Sequence, residues 1–435
     1  MKNIVICTSG SSIGGMEVMF SNYIRFLIKR RYKVYLITEN ILGNIYHKLL
    51  SDIEDQIIYI KRNPCNVMYL TTKEQEELRI SVLSKFGKID YNTIYCTCGY
   101  FIDLMMLLII FKNKSVKISM IWPHPLNWVN QLFFIKNTYH LQRRPYLSFY
   151  RKQKDLLELM HNHNAFFYTS YSIFYFNRWY YSAKLDDRII EGLPVQINSG
   201  LEFDYVSPIR DGLWNILWVG RFDFFKNDAI CKIHRTLELI AYKKNVKICF
   251  NIVGHGKKEF EDALKRNLQS NNIKVSFLGT VKPDELNNVF RANDIGIAMG
   301  VTVKQMGYAG LPAILIDSMS KYYKKERCCN WIFDIETGDD GDGMYYDAAK
   351  MTLRNRESLY DVLSSVIDNP DLLIDYSNRC KEYVQKYYSY ERQYEIITDR
   401  VLNSSFTSDQ AMPIVYGWFR RFVRRTFRLI TGKRQ

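Results

Sequence analysis

The chain has 435 residues, of which 47% are apolar and 15% aromatic, with 60 Lys+Arg against 45 Asp+Glu and a formal charge of +15. This composition excludes a disordered chain, and the length gives two or three domains at roughly 150 residues each, with cores that need no disulfide support. The charge admits three partner classes: nucleic acid, an anionic membrane surface or a phosphorylated substrate. It is unevenly spread, because no acid follows Asp409 while Arg420, Arg421, Arg424, Arg425, Arg428, Lys433 and Arg434 all lie beyond it.

In chain order, Asn3–Ser9 is apolar and rich in β-branched residues, a strand that runs into the glycine-rich turn Gly10–Gly15. Phe20, Tyr23, Ile24 and Leu27 recur at helical spacing, and Lys33–Thr38 is the next strand, so the start is a βαβ unit with a parallel sheet. Strands continue at Ile57–Ile60, Thr93–Thr97, Val116–Trp122 and Ala165–Ser170, with a helix near Lys154–His161. Leu104–Phe111 is an uncharged apolar run too short to span a bilayer and predicts a buried helix. Gly192–Val195 breaks the pattern and suits a hinge.

A second series follows. Asn215–Val219, Lys247–Val253, Lys274–Leu278, Ile295–Met299 and Ala313–Ile316 read as strands. Helices fall between them near Asp228–Ala241, Lys258–Gln269, Asp284–Arg291 and Thr302–Ala309. Two successive doubly wound α/β units result, and the crevice beyond their strands' carboxyl ends is the expected ligand site. The expected divisions are residues 1–195 and 196–384 for the two units, 385–410 for a helix crossing back to the first, and 411–435 for a basic tail. The nine cysteines are odd in number and scattered, without zinc-site spacing; with no signal-peptide pattern at the N-terminus, they point to a reducing cytosol.

Five stretches carry chemistry, each with a plainer alternative. Gly14-Gly15-Met16-Glu17 opens the first helix, where small residues let an anion approach backbone amides; otherwise it is a turn. In Gly220-Arg221-Phe222-Asp223-Phe224-Phe225-Lys226-Asn227, Arg221 and Lys226 follow a strand and suit a diphosphate, a fork and a point charge; otherwise they are solvated loop charges. Gly254-His255-Gly256 is a ligand loop or a tight turn. Gly300, Val301 and Thr302 begin a helix whose amides can seat a phosphate, with Gln305 on its first turn. His124, in Trp122-Pro123-His124-Pro125, points into the crevice or is structural. Asp339-Asp340-Gly341-Asp342 is acidic and reads as a loop, and no Asp-x-Asp stands at a strand end.

In this order, together with Phe277-Leu278-Gly279-Thr280 and the late Tyr388-Ser389-Tyr390, these motifs resemble the GT-B-fold glycosyltransferases of family 4 over nearly all of residues 1–400. The resemblance implies two facing Rossmann-like domains and retaining transfer of a sugar from a nucleotide-diphosphate donor. It implies that Arg221 and Lys226 hold the diphosphate and stabilise the departing charge. The base then meets the backbone near Thr280 and Val281. The sugar and phosphate lie at Gly300, Val301 and Thr302, with Gly254 also lining the donor site. A phosphate approaches Gly15, and His124 touches the donor sugar. No metal or cofactor is expected. The family's two glutamates, eight residues apart, correspond here to Ile297 and Gln305; Gln305 can still hydrogen-bond a ribose, and the chain is nearer to branches that keep only the second glutamate.

On a helical wheel Val415, Trp418, Phe419, Phe422, Val423, Leu429 and Ile430 share one face of the tail, and Arg420, Arg421, Arg424, Arg425 and Arg428 the other. That is the pattern of an in-plane amphipathic helix on an anionic membrane; packing on the protein is the alternative, and a nucleic-acid partner would leave the apolar face unused. The aromatic and basic stretch Trp128–Lys154 is a second candidate contact. The expected activity is therefore a cytoplasmic, membrane-peripheral enzyme moving sugar from a nucleotide-sugar donor to a lipid-linked or saccharide acceptor in bacterial surface polysaccharide assembly. A nucleotide-sugar epimerase or phosphorylase of the same architecture, and a degenerate transferase acting as a scaffold, are the other readings.

Overall fold

The computed structural model describes the chain except residues 1, 9–14, 40–44, 63–69, 123, 126–127, 129–147, 188–189, 191, 196–202, 207–211, 283–284, 320–324, 350, 352–354 and 416–435. The tail residues Trp418, Phe419, Arg420, Arg421, Phe422, Arg424, Arg425 and Arg428, and residues 129–147 of the stretch Trp128–Lys154, lie outside the described residues; Trp128 and Val415, expected on membrane-facing surfaces, are instead fully buried in the core of the first unit.

The first unit alternates β1 (Asn3–Cys7), α1 (Gly15–Lys29), β2 (Lys33–Glu39), α2 (Ile45–Leu49), β3 (Ile57–Arg62), α3 (Thr72–Leu83), β4 (Ile94–Cys98), α4 (Phe101–Ile110), β5 (Lys117–Trp122), α5 (Ser148–Asn162), β6 (Phe166–Tyr168) and α6 (Tyr171–Tyr181). Its strands form one parallel sheet in the order β3-β2-β1-β4-β5-β6, a doubly wound arrangement. β1 shows why its sequence suits the centre. Val5 and Cys7 face one apolar layer and Ile4 and Ile6 the other, so a strand buried on both sides must be apolar throughout. The apolar run expected as a buried helix is α4, packed with Phe111 in the first of these layers.

The second unit contains β7 (Leu213–Val219), α7 (Phe224–Lys244), β8 (Lys247–Val253), α8 (Lys258–Asn267), β9 (Lys274–Gly279), α9 (Leu286–Arg291), β10 (Ile295–Ala298), α10 (Gly300–Ala309) and β11 (Ala313–Ile316). There follow β12 (Arg327–Trp331), α11 (Gly343–Ala348), β13 (Glu357–Ser358), α12 (Leu359–Asp368), α13 (Leu372–Tyr388) and α14 (Tyr390–Asn403). The sheet order is β13-β12-β11-β10-β7-β8-β9; the strands from β11 to β9 are parallel, while β12 and β13 add an antiparallel edge absent from the sequence reading. β12 reads Arg-Cys-Cys-Asn-Trp and β13 has only two residues, too little alternation or apolar run to mark a strand.

Two chain crossings join the units, and they touch. The Val195 amide donates to the Tyr388 carbonyl at 3.0 Å, and a Cβ at Gly192 would meet the Tyr388 ring at 2.6 Å. Beyond this point α14 packs on the first unit: the Tyr394 hydroxyl donates to the Met19 carbonyl at 3.0 Å, and its ring stacks on Tyr23 at 5.5 Å. The chain then runs beside β5, where the Ile118 amide donates to the Phe406 carbonyl at 2.9 Å, and enters a helical stretch at 408–415. Lys152 Nζ on α5 donates to the Ile414 carbonyl at 2.6 Å. Among the described residues no helix is long and apolar enough to cross a membrane.

A third link lies across the crevice. α11, carried by the second unit, inserts Met344 and Tyr345 into the apolar core of the first. Its approach is fixed by the Tyr171 amide donating to the Gly338 carbonyl at 3.0 Å, and by the Ser172 hydroxyl donating to Asp342 Oδ2 at 2.6 Å.

Candidate active site

In a doubly wound sheet the ligand crevice opens where the strand order reverses. In the second sheet that point lies between β7 and β10, which pair in register with Ile297 beside Trp218. The loops that follow these two strands hold Gly220–Lys226 and Gly300–Thr302. The loops after β8 and β9 stand alongside: the Gly220 amide donates to the Val253 carbonyl at 3.0 Å, and the Gly254 amide to the Gly279 carbonyl at 2.8 Å. Four of the predicted donor segments thus line one edge, with Thr280 and Val281 directly after β9.

Gly254 has a packing role of its own. Its φ is +149°, and a Cβ there would lie 2.0 Å from the Gly220 carbonyl oxygen. Gly254→Ala is therefore expected to destabilise the second unit by about 3 kcal/mol or more. A lowered Tm would show it; a Tm equal to that of the parent chain would mean the two loops do not abut.

Asp223 caps α7: its Oδ1 accepts the Lys226 amide at 3.1 Å, which places Lys226 on the first turn with Arg221 just before the cap. The other oxygen, Oδ2, is buried without a hydrogen-bond donor, with Arg221 Nε at 3.7 Å. Burial lowers the Lys226 ammonium and raises the Asp223 carboxyl, while each opposes the other's shift by its charge. The Arg221 side chain is 65% exposed, open to a ligand.

His124 comes from the first unit, two residues past β5, held by Trp122 Nε1 donating to its carbonyl at 2.9 Å. Burial, then the nearby positive charges of Arg221 and Lys226, push its imidazole down to about 4, so the ring is neutral near neutral pH. That coupling sets His124 against the two cations of the opposite unit. Arg221 and Lys226, about a hundred residues later in the sequence, thus lie near enough to His124 to act on its charge.

α10 begins at Gly300, two residues earlier than the sequence pattern indicates, and has no side-chain cap at Met299. The Gly300 amide is already engaged by the Asp340 carbonyl at 2.9 Å, so the helix offers its next amides, those of Val301 and Thr302. Gln305 is half-buried one turn along. Ile297 is fully buried in β10 between β7 and β11, so that position lies in the core and not in the crevice. Gly15 opens α1, and among the described residues no atom lies within 4 Å of a Cβ built on it.

The acidic segment Asp339–Asp342 is a loop, as expected, but a largely buried one, which no local pattern signals. Asp340 Oδ1 pairs with the fully buried Lys304 Nζ at 2.5 Å, and Asp339 Oδ2 with Arg356 Nη2 at 2.7 Å. Asp342 lies near enough to Lys226 for its charge to support that of the ammonium. Burial, followed by the charge of Asp340, pushes the Asp342 carboxyl up to about 7, against the Ser172 hydrogen bond. Asp223, Asp342 and Tyr345 therefore join the site. The first lay within a motif already noted; the others depend on the crossing of α11 into the first unit, which no local pattern records. Among the described residues no group of three His, Cys, Asp or Glu side chains is placed to hold a metal ion.

No family model matches the chain, and no curated protein matches it. Solved structures do. A glycosyltransferase from Rickettsia africae superposes with a TM-score of 0.59 at 14% identity, covering 92% of this chain and 98% of that one. The lipopolysaccharide outer core galactosyltransferase WaaB superposes with a TM-score of 0.55 at 16% identity, covering 92% and 99%. TarM of S. aureus, in a variant form bound to UDP and an α-GlcNAc-glycerol, superposes at 0.54 and 12% identity, covering 94% and 100%. The fold is GT-B. In this GT-B chain the switch-point loops of the second unit and His124 of the first bound one inter-unit crevice.

Proposed function

We propose that this protein is a glycosyltransferase that moves a sugar from a nucleotide-diphosphate donor to a saccharide or lipid-linked acceptor, with retention and without a metal, in bacterial surface polysaccharide assembly. The observation that carries this reading is the convergence of Arg221, Lys226 and neutral His124 on one crevice of a GT-B fold. Arg221 and Lys226 stabilise the charge developing on the departing diphosphate. The Val301 and Thr302 amides seat a donor oxygen, Gln305 meets the ribose, and the backbone near Thr280 and Val281 meets the base. Gly15 leaves the backbone open to the donor, and Gly254 lets the loop after β8 abut Gly220 at the donor edge. His124 contributes a neutral hydrogen-bond donor to the sugar, and Asp223 Oδ2 can accept a substrate hydroxyl. The basic tail holds the enzyme on an anionic membrane face; residues 411–415, just before it, pack on the first unit, where Lys152 meets the Ile414 carbonyl.

Incubation with a panel of nucleotide sugars and membrane-derived acceptor tests the reading, with the anomeric configuration of the product read by NMR. Transfer with the donor's configuration preserved is expected; release of an epimerised sugar without acceptor would favour the epimerase reading. Lack of turnover with every donor would reject both.

Asp342 gives the site a pH dependence. Below about 7 the diphosphate beside Lys226 meets a neutral acid, and above it a carboxylate. UDP affinity is expected to fall as pH rises through this value, and Asp342→Asn to flatten the profile. The same raised pKa favours the fold at low pH, and this contribution disappears as pH rises through about 7. An unchanged pH profile in Asp342→Asn would exclude Asp342 from the crevice electrostatics.

A further inference from the structure

We propose that Tyr345 is a positioning residue that donates its hydroxyl hydrogen to His124 Nε2 and thereby holds the imidazole in the tautomer with its proton on Nδ1. This rests on the reading of His124 as a donor-sugar contact. The hydroxyl oxygen lies 3.3 Å from Nε2, and the rings meet edge to face at 5.4 Å and 88°. The direction of the bond follows from what each group can do. Burial, then the charges of Asp342 and Asp223, raise the phenol well above its ordinary range, so it keeps its proton. A buried O–H requires an acceptor. Among the described residues the Tyr345 hydroxyl meets His124 Nε2; if the histidine donated instead, the phenol hydrogen would be buried without one.

The surroundings fix both partners. Tyr345 is buried and packs edge to face on Phe176 at 5.3 Å, and Asn177 Nδ2 on the same helix donates to the Pro125 carbonyl at 3.0 Å. α6 therefore locates the tyrosine and the loop after His124 together. α11 is tied to α6 by Ser172 and Asp342. The ring of a first-unit histidine is thus set by a residue that the second unit delivers, and the correct tautomer forms only when the two units are docked. Which nitrogen carries the proton matters, because a neutral imidazole donates from one nitrogen only.

The test uses the full chain labelled with 15N-histidine, with His124 assigned by loss of its signals in His124→Gln. In the parent chain, the ring nitrogens are expected to report Nδ1–H and unprotonated Nε2, persisting on acidification towards about pH 4. Tyr345→Phe keeps the ring packing and removes the hydroxyl. It is expected to move the His124 nitrogens towards a mixture of tautomers and to lower kcat roughly tenfold, with UDP affinity unchanged. An Nε2–H pattern in the parent chain, or His124 signals identical in Tyr345→Phe, would overturn the proposal. The nitrogen signature needs no turnover, so failure to transfer sugar would count against the transferase reading and leave the hydrogen bond standing or falling on its own spectrum.

Discussion

Arg221→Ala and Lys226→Ala are each expected to lower kcat/KM for sugar transfer by roughly 10²–10³-fold, the cost of removing one preorganised charge from a developing anion. The two should differ in what else they change. Arg221 is largely exposed, and its loss should leave the Tm within the range of an ordinary surface substitution. Asp223 and Asp342 both support the Lys226 charge, and its loss leaves the two carboxyl groups without that cation. Lys226→Ala should therefore weaken UDP binding more steeply as pH rises, as these acids ionise with no ammonium beside them. The capping bond survives in both, because Asp223 Oδ1 holds the backbone amide of residue 226 and not its side chain. Steady-state kinetics with a matched Tm separates the effects; undiminished turnover in both variants would remove the diphosphate role.

Arg356→Met is expected to cost roughly 3–5 kcal/mol of stability, because it strips the cation from a buried cluster. Arg356 donates to both oxygens of Asp317, Nη2 to Oδ1 at 2.8 Å and Nε to Oδ2 at 3.0 Å, and to Asp339 Oδ2 at 2.7 Å. All three residues are buried. Burial raises the Asp317 carboxyl to about 6 even with Arg356 beside it, so its protonated form favours the fold, and that support is lost as pH rises through this value. Without the guanidinium, the Asp317 carboxyl should rise further. The loss should thus be largest above neutral pH and partly recovered in acid. The cluster anchors the start of the loop that ends at Asp342, so a crevice defect should accompany the lower Tm. Denaturant melts at two pH values test this; an equal loss at both would mean the carboxylates are not what the arginine neutralises.

Much of the fold could be read from residues alone. A strand buried on both faces must be apolar, and Asn-Ile-Val-Ile-Cys or Lys-Ile-Cys-Phe-Asn-Ile-Val has few other uses; these became β1, at the centre of the first sheet, and β8, paired on both sides by β7 and β9 in the second. The glycines marked the ends of such strands, which is where doubly wound folds place ligands. What stayed hidden was non-local. β12 and β13 are edge strands defined by partners and not by pattern. Asp340 and Asp342 read only as part of an acidic loop, because nothing local announces that Lys304 and Ser172 will meet them. Tyr345 lay in an unremarkable Met-Tyr-Tyr run, and its meaning comes from α11 entering the other unit's core. His124 was legible as a histidine after a strand; its neutrality was not, since the cations that enforce it come from about a hundred residues later.

The most direct test of the central claim is nucleotide protection. A ligand that binds only the folded state at a hundred times its Kd stabilises it by about 2.7 kcal/mol. Thermal unfolding of the full chain with UDP, GDP or ADP should therefore show a raised Tm with one of them, and the gain should vanish in Arg221→Ala and Lys226→Ala. A Tm indifferent to every nucleoside diphosphate, or a gain that persists in both variants, would contradict a donor site at this crevice.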